Sequence, residues 1–196
     1  MLLCGAVSPI FASPTFAINL REFKRDLQVG DATKINADFA EIIASKSPEL
    51  IMKSRTAMLQ QLPESKARTA MLQQCLEVAS HLEPQNREQA LMVASAQFIT
   101  AEQLADGEYK RKLLDSASKL GHDKAPEQLA MLIASEQPEK ADDLLRLSVT
   151  RGNYMAAVTY AKLQKNPQKI KQLRLILEKL ARNGDKRAVR ALQQMR

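Results

Sequence analysis

Three glycines, Gly121, Gly152 and Gly184, stand 31 and 32 residues apart in a chain of 196, and their surroundings recur in the same order. Seven residues before each glycine stands a leucine: Leu114, Leu145 and Leu177. Just ahead of the turn come the small or apolar pairs Ala117-Ser118, Ser148-Val149 and Leu180-Ala181. Four residues after it stands an alanine: Ala125, Ala156 and Ala188. Eight after stand Leu129, Tyr160 and Leu192, and eleven after stand Leu132, Leu163 and Met195. A glycine between two apolar-periodic segments is a helix stop, because it enters the left-handed region at no steric cost. Apolar residues at plus four, plus eight and plus eleven share one face of the next helix, which can bury them only against a neighbour. One such helix pair is unstable alone, and about three stacked pairs close a continuous core.

Composition agrees with helices. The chain is 45% hydrophobic but has only five Phe, three Tyr and no Trp, so Leu, Ala and Met must fill its interior. Hairpin signals followed by alternating Val, Ile, Thr and Tyr are missing. With Pro48 and Pro63 as breaks, the pattern predicts helices near 32–46, 48–61, 64–82, 86–104, 108–120, 123–135, 139–150, 153–164, 168–182 and 185–195. It predicts burial of Ala125, Leu129, Leu132, Ala156, Tyr160, Leu163, Ala188 and Leu192. The heptapeptide Arg55-Thr-Ala-Met-Leu-Gln-Gln61 is repeated as Arg68-Thr-Ala-Met-Leu-Gln-Gln74. Since Pro63 places the copies on separate helices, we read them as helix-forming, core-packing sequence and not as paired binding teeth.

The segment from Lys112 to Leu132, KLLDSASKLGHDKAPEQLAML, resembles the Sel-one-like repeat, a branch of the tetratricopeptide superfamily whose unit carries an Ala pair, Gly, Ala and Leu in this order. Two further copies, Leu144 to Leu163 and Ile176 to Met195, depart from it, with Ser148-Val149 and Leu180-Ala181 in place of two alanines. The connecting loops, 135–140 and 164–169, are shorter than the family's. Upstream, residues 82–98 are similar to the turn and first helix of a tetratricopeptide unit. The resemblance implies an all-α fold, a right-handed α-solenoid of antiparallel helix pairs. It also implies an adaptor role, which bacterial members with leaders often perform in the cell envelope.

Residues 1–17 read as a signal peptide: no charge precedes Arg21, Pro9 and Pro14 interrupt the apolar run, and Thr15 and Ala17 fit a cleavage site. A basic start is missing, and the alternative is an apolar segment packed on the first helices. Cys4 lacks a lipobox. The expected organisation is therefore a leader over 1–17, an N-terminal helical region over 18–106 with degenerate tetratricopeptide-like units, and repeats over 107–196. The expected location is the periplasm or outside the cell, with the cytoplasm as alternative.

The net charge of +7 is local, because residues 165–196 carry ten Lys and Arg against two Asp and Glu. Helical spacing turns Lys171, Arg174 and Arg182 of one helix, and Lys186, Arg187 and Arg190 of the next, away from the packing stripes. These six are the candidate partner-binding face, set against a soluble cap on a terminal repeat.

Chemistry-bearing patterns are absent from the sequence. His81 and His122 are isolated and expected at surface or turn positions, Cys75 falls on an apolar helix face, and Asp142-Asp143 sits near a helix start, where it favours the dipole. No phosphate loop, nucleophile elbow or metal spacing occurs. We therefore expect no enzyme, no metal and no cofactor. The leading expectation is a scaffold for a protein or peptide partner. The alternative is a binder of an acidic partner: polysaccharide, anionic lipid, or nucleic acid if cytoplasmic. Single-stranded nucleic acid is disfavoured because residues 165–196 hold no aromatic for base stacking. No membrane-spanning helix is expected.

Overall fold

The computed structural model describes residues 20–163 and 166–195, which form eleven helices and no strand. They are α1 (Leu20–Val29), α2 (Ala32–Ala44), α3 (Pro48–Gln61), α4 (Lys66–Ser80), α5 (Arg87–Glu102), α6 (Glu108–Lys119), α7 (Ala125–Ile133), α8 (Pro138–Thr150), α9 (Met155–Leu163), α10 (Pro167–Arg182) and α11 (Lys186–Gln194). The expected leader, residues 1–17, lies outside the described residues. Ten of these helices fall where the periodicity predicts them. The one it missed is α1, although Leu20, Phe23 and Leu27 have helical spacing and Phe23 is fully buried.

Local chemistry starts and stops the helices. Ser47, Ser65, Asn86, Asn166 and Asp185 each accept a backbone N–H of the following first turn through a side-chain oxygen. At the three repeated glycines the endings are the same. Gly121, Gly152 and Gly184 take φ of 106°, 93° and 87°. The N–H after each reaches the carbonyl five residues back: His122 to Ala117 at 3.0 Å, Asn153 to Ser148 at 3.1 Å and Asp185 to Leu180 at 3.1 Å. Each glycine's own N–H bonds three residues back. This is the Schellman closure, and a Cβ at φ near 90° would strain it.

From α2 onward the helices pack chiefly on their sequence neighbours, with α3 also against α5 and α9 against α11, while α1 packs on α3 as well as α2. Two apolar clusters meet on α5, which gives Ala96 to the first and Ala94, Phe98 and Ala101 to the second. Within the repeats, burial fades along the helix that follows each turn. Leu114, Leu145 and Leu177 before it and Ala125, Ala156 and Ala188 after it are all buried. At plus eight, Leu129 and Tyr160 are buried while Leu192 is half-buried. At plus eleven, Leu132 and Met195 are half-buried. Leu163, expected inside, is exposed at 45%. It is the last residue of α9, so no further turn of its own helix carries the stripe under a neighbour.

Ala156 has no exposed surface. Ala156→Leu should force its neighbours apart and cost about 1–3 kcal/mol through overpacking. Thermal denaturation followed by circular dichroism measures this, and an unchanged Tm would remove the close contact from the repeat register.

Candidate functional site

The candidate surface is built by α10 and α11, which pack directly on each other and on α9. Asn166 opens α10 by accepting the N–H groups of Gln168 and Lys169, and Asp185 opens α11 by accepting those of Arg187 and Ala188. The phases are thereby set. Leu173 and Leu177 turn inward on α10, and Ala188 and Ala191 turn inward on α11. All six candidate residues, Lys171, Arg174, Arg182, Lys186, Arg187 and Arg190, are exposed.

They are not equivalent. Arg174 pairs with Glu178 at 3.6 Å, one turn on. Arg187 lies over the Tyr154 ring at 5.3 Å and pairs with Asp185 at 3.5 Å, so it ties α11 to the turn before α9. Lys171, Arg182, Lys186 and Arg190 have no ion-pair partner among the described residues. The sequence reading missed Lys179, also exposed and unpaired. It missed too that Leu175 and Ile176 are left outside, at 55% and 49% exposure. The helical phase fixed by Leu173 and Leu177 carried that information.

Beneath this face lies a polar contact that the sequence reading assigned otherwise. Asp142 is in the second turn of α8 and buried, and its Oδ2 accepts the Lys169 ammonium at 2.8 Å. Burial would raise its pKa, but Lys169 and the nearby Tyr160 hydroxyl outweigh that and hold the carboxyl below its ordinary range. The Tyr160 phenol is pushed up, first by burial and then by that carboxylate. Asp142 Oδ1 and the Tyr160 hydroxyl oxygen are both buried, and neither has a hydrogen-bond partner outside this pair. A small cleft of about 40 Å³ opens beside them, lined by Arg146, Tyr160, Lys169, Gln172, Leu173 and Ile176.

The remaining candidates resolve as structural parts. Cys75 is fully buried, and desolvation pushes its thiol up to about 11. His81 ends α4 on the surface. His122 is more than a turn residue: its ring stacks on Phe98 at 4.2 Å, and its Nδ1 accepts the N–H groups of Lys124 and Ala125, opening α7. Among the described residues no cluster of His, Cys, Asp and Glu can hold a metal, and no helix is long and apolar enough to cross a membrane.

The class these observations define is an all-helical protein whose last described helix pair presents a cationic surface. Compared with protein-family models, curated proteins and solved structures, the chain gives no match.

Two predictions concern the buried groups. Burial lowers the His122 pKa, an effect opposed by Asp123 and Glu102 and aided by Lys124 and Arg151. Below the unfolded value of about 6.5 the unfolded chain binds more protons, so the stability His122 contributes at pH 7 is lost as pH falls toward the folded pKa. Urea denaturation at neutral and mildly acidic pH should show this loss. His122→Phe, which keeps the stack but removes the cap, should cost about 0.5–2 kcal/mol at neutral pH and flatten the pH dependence. An equally steep profile in the variant would assign it to another group. Lys169→Met should strand the Asp142 carboxylate and cost about 1–3 kcal/mol at neutral pH, a modest figure because Lys169 is partly exposed. Asp142 stabilises the wild type above the unfolded carboxyl value of about 3.9, and that contribution fades as pH falls through its lowered pKa. The gap between the two proteins should therefore narrow in acid.

Proposed function

We propose that this chain is a non-catalytic interaction scaffold: a right-handed solenoid of Sel-one-like, tetratricopeptide-related helix pairs that holds a protein or peptide partner. The single observation that carries the reading is the threefold helix pair around Gly121, Gly152 and Gly184, closed each time by the same hydrogen bonds. Repeats of this kind present exposed helix faces side by side, a surface suited to extended partners. We propose also that it works in the bacterial cell envelope after loss of residues 1–17.

A second reading, an acidic polymer or anionic surface bound by the end of the array, is favoured by the unpaired Lys171, Arg182, Lys186 and Arg190. Mixed charges would solubilise this end equally well and repel one another less.

One experiment addresses both readings: crosslinking in the native cell, recovery of the chain, identification of what is attached, and sequencing of the mature amino terminus. A protein partner and a start near Ile18 are the expected results. Recovery without any attached protein would overturn the scaffold, and a cytosolic chain that keeps Met1 would overturn export. Lys186→Glu with Arg190→Glu leaves the Tyr154 contact intact. It should preserve melting while weakening capture of an acidic partner, and capture should fall with salt. Equal capture by this variant would reduce these two cations to a soluble cap.

A further inference from the structure

We infer that the outward face of α10 docks an acidic amphipathic helix of a partner protein. This inference rests on the scaffold reading and names the partner's chemistry. Steps of about 100° put Lys171, Leu175 and Lys179 in one row at intervals of four, with Arg182 one turn beyond Lys179. Gln172 and Ile176 form the adjoining row. Leu173 and Leu177 hold the opposite side of the helix in the core, so this phase cannot rotate. Leu175 and Ile176 are therefore two half-exposed aliphatic side chains set among three cations, none of which has a carboxylate partner among the described residues.

Charge complementarity calls for an acidic partner, and the aliphatic pair narrows its kind. A polyanion recognised through phosphate or sulfate would use Lys171, Lys179 and Arg182 but gain nothing from Leu175 and Ile176. A bilayer would use both, yet a surface-lying helix needs a broad apolar face, and this one is two residues wide with its other apolar side already buried. A partner helix with aliphatic residues at i, i+3 or i+4, and i+7, bordered by Asp or Glu, matches both features. Its aliphatic side chains would cover Leu175 and Ile176, and its carboxylates would reach Lys171, Lys179 and Arg182. Ile176 also borders the small cleft lined by Arg146, Tyr160 and Lys169.

The test measures anisotropy of a fluorescent acidic peptide of about five turns, with Leu at i, i+3 and i+7 positions and Glu between them, against the full chain. The controls are a scrambled peptide of the same composition, polyglutamate, duplex DNA and phosphatidylcholine vesicles containing about one-third phosphatidylglycerol. The ordered peptide should bind about tenfold or more tightly than every control. Leu175→Ser with Ile176→Ser, both at exposed positions, should weaken it about tenfold without changing helicity, and so should Lys171→Glu with Lys179→Glu. Binding that survives the serine pair, preference for DNA or vesicles, or no peptide binding at all would overturn the inference. The cellular crosslinks separate the two levels. A partner still recovered by both α10 variants rejects this face while the scaffold stands, whereas no partner on the unaltered chain rejects the scaffold itself.

Discussion

A helix that ends in a left-handed residue sends the chain back along its own side, and most of this molecule's carboxyl-terminal half depends on that reversal. Gly121, Gly152 and Gly184 each place one residue at positive φ, and each lets the next N–H satisfy a carbonyl of the last helical turn. With the reversal pinned, the helices on either side of it can bury their apolar stripes. The chain buries a leucine before each turn and an alanine after it: Leu114 and Ala125, Leu145 and Ala156, Leu177 and Ala188. Alanine lets the backbones approach, and leucine fills the remaining space. Past the glycine, burial is complete at plus four and incomplete by plus eleven, as Ala156 and Leu163 show.

Polar side chains then join one helix pair to the next. Arg151, just past the end of α8, donates to the carbonyls of Ser118 and His122 at 2.6 Å and 3.3 Å, placing a cation at the end of α6. Ser148 donates to the Asp123 carbonyl, and Asn153 and Thr159 both donate to Glu127. Lys169 of α10 holds Asp142 of α8, while within the pair around Gly121 Arg111 holds Glu136 with two bonds. Apolar stripes alone would let stacked pairs slide or rotate. These bonds have fixed partners and directions, and so they fix the angle between units on which any shared binding face depends.

The charge surplus belongs to this arrangement as well. Arg174 and Arg187 are cations of the same segment as Lys171, Lys179, Arg182, Lys186 and Arg190, yet the fold engages the first two with Glu178, Asp185 and Tyr154. Of the cations left without partners, Lys171, Lys179 and Arg182 share α10 with Leu175 and Ile176, which the core does not use. A surface combining unpaired charge of one sign with uncovered aliphatic groups is suited to a partner that supplies both complements.

The sequence by itself determined the helices and most of their inward faces, because caps, glycine stops and a period of 3.6 act within a few residues of one another. Ten helices and the burial of Ala125, Leu129, Ala156, Tyr160 and Ala188 were legible for that reason. Contacts between units were not. Nothing near His122 in the sequence announces Phe98, and nothing near Asp142 announces Lys169, since each pair is brought together by packing of separate helices. Helix α1 was missed because Leu20, Phe23 and Leu27 make only two turns of stripe, too short a period to stand out from the apolar sequence before it. The duplicated heptapeptide separates local from tertiary causes. In both copies the threonine donates to the carbonyl four residues back, Thr56 to Met52 and Thr69 to Ser65, as local sequence requires. The alanine and methionine that follow are buried at Ala57 and Met58, whereas Ala70 is exposed and Met71 only half-covered. Arg68 of the second copy donates to the Leu59 carbonyl of the first. Identical residues make identical helices, but what covers a helix face comes from distant parts of the chain, and only the tertiary structure decides it.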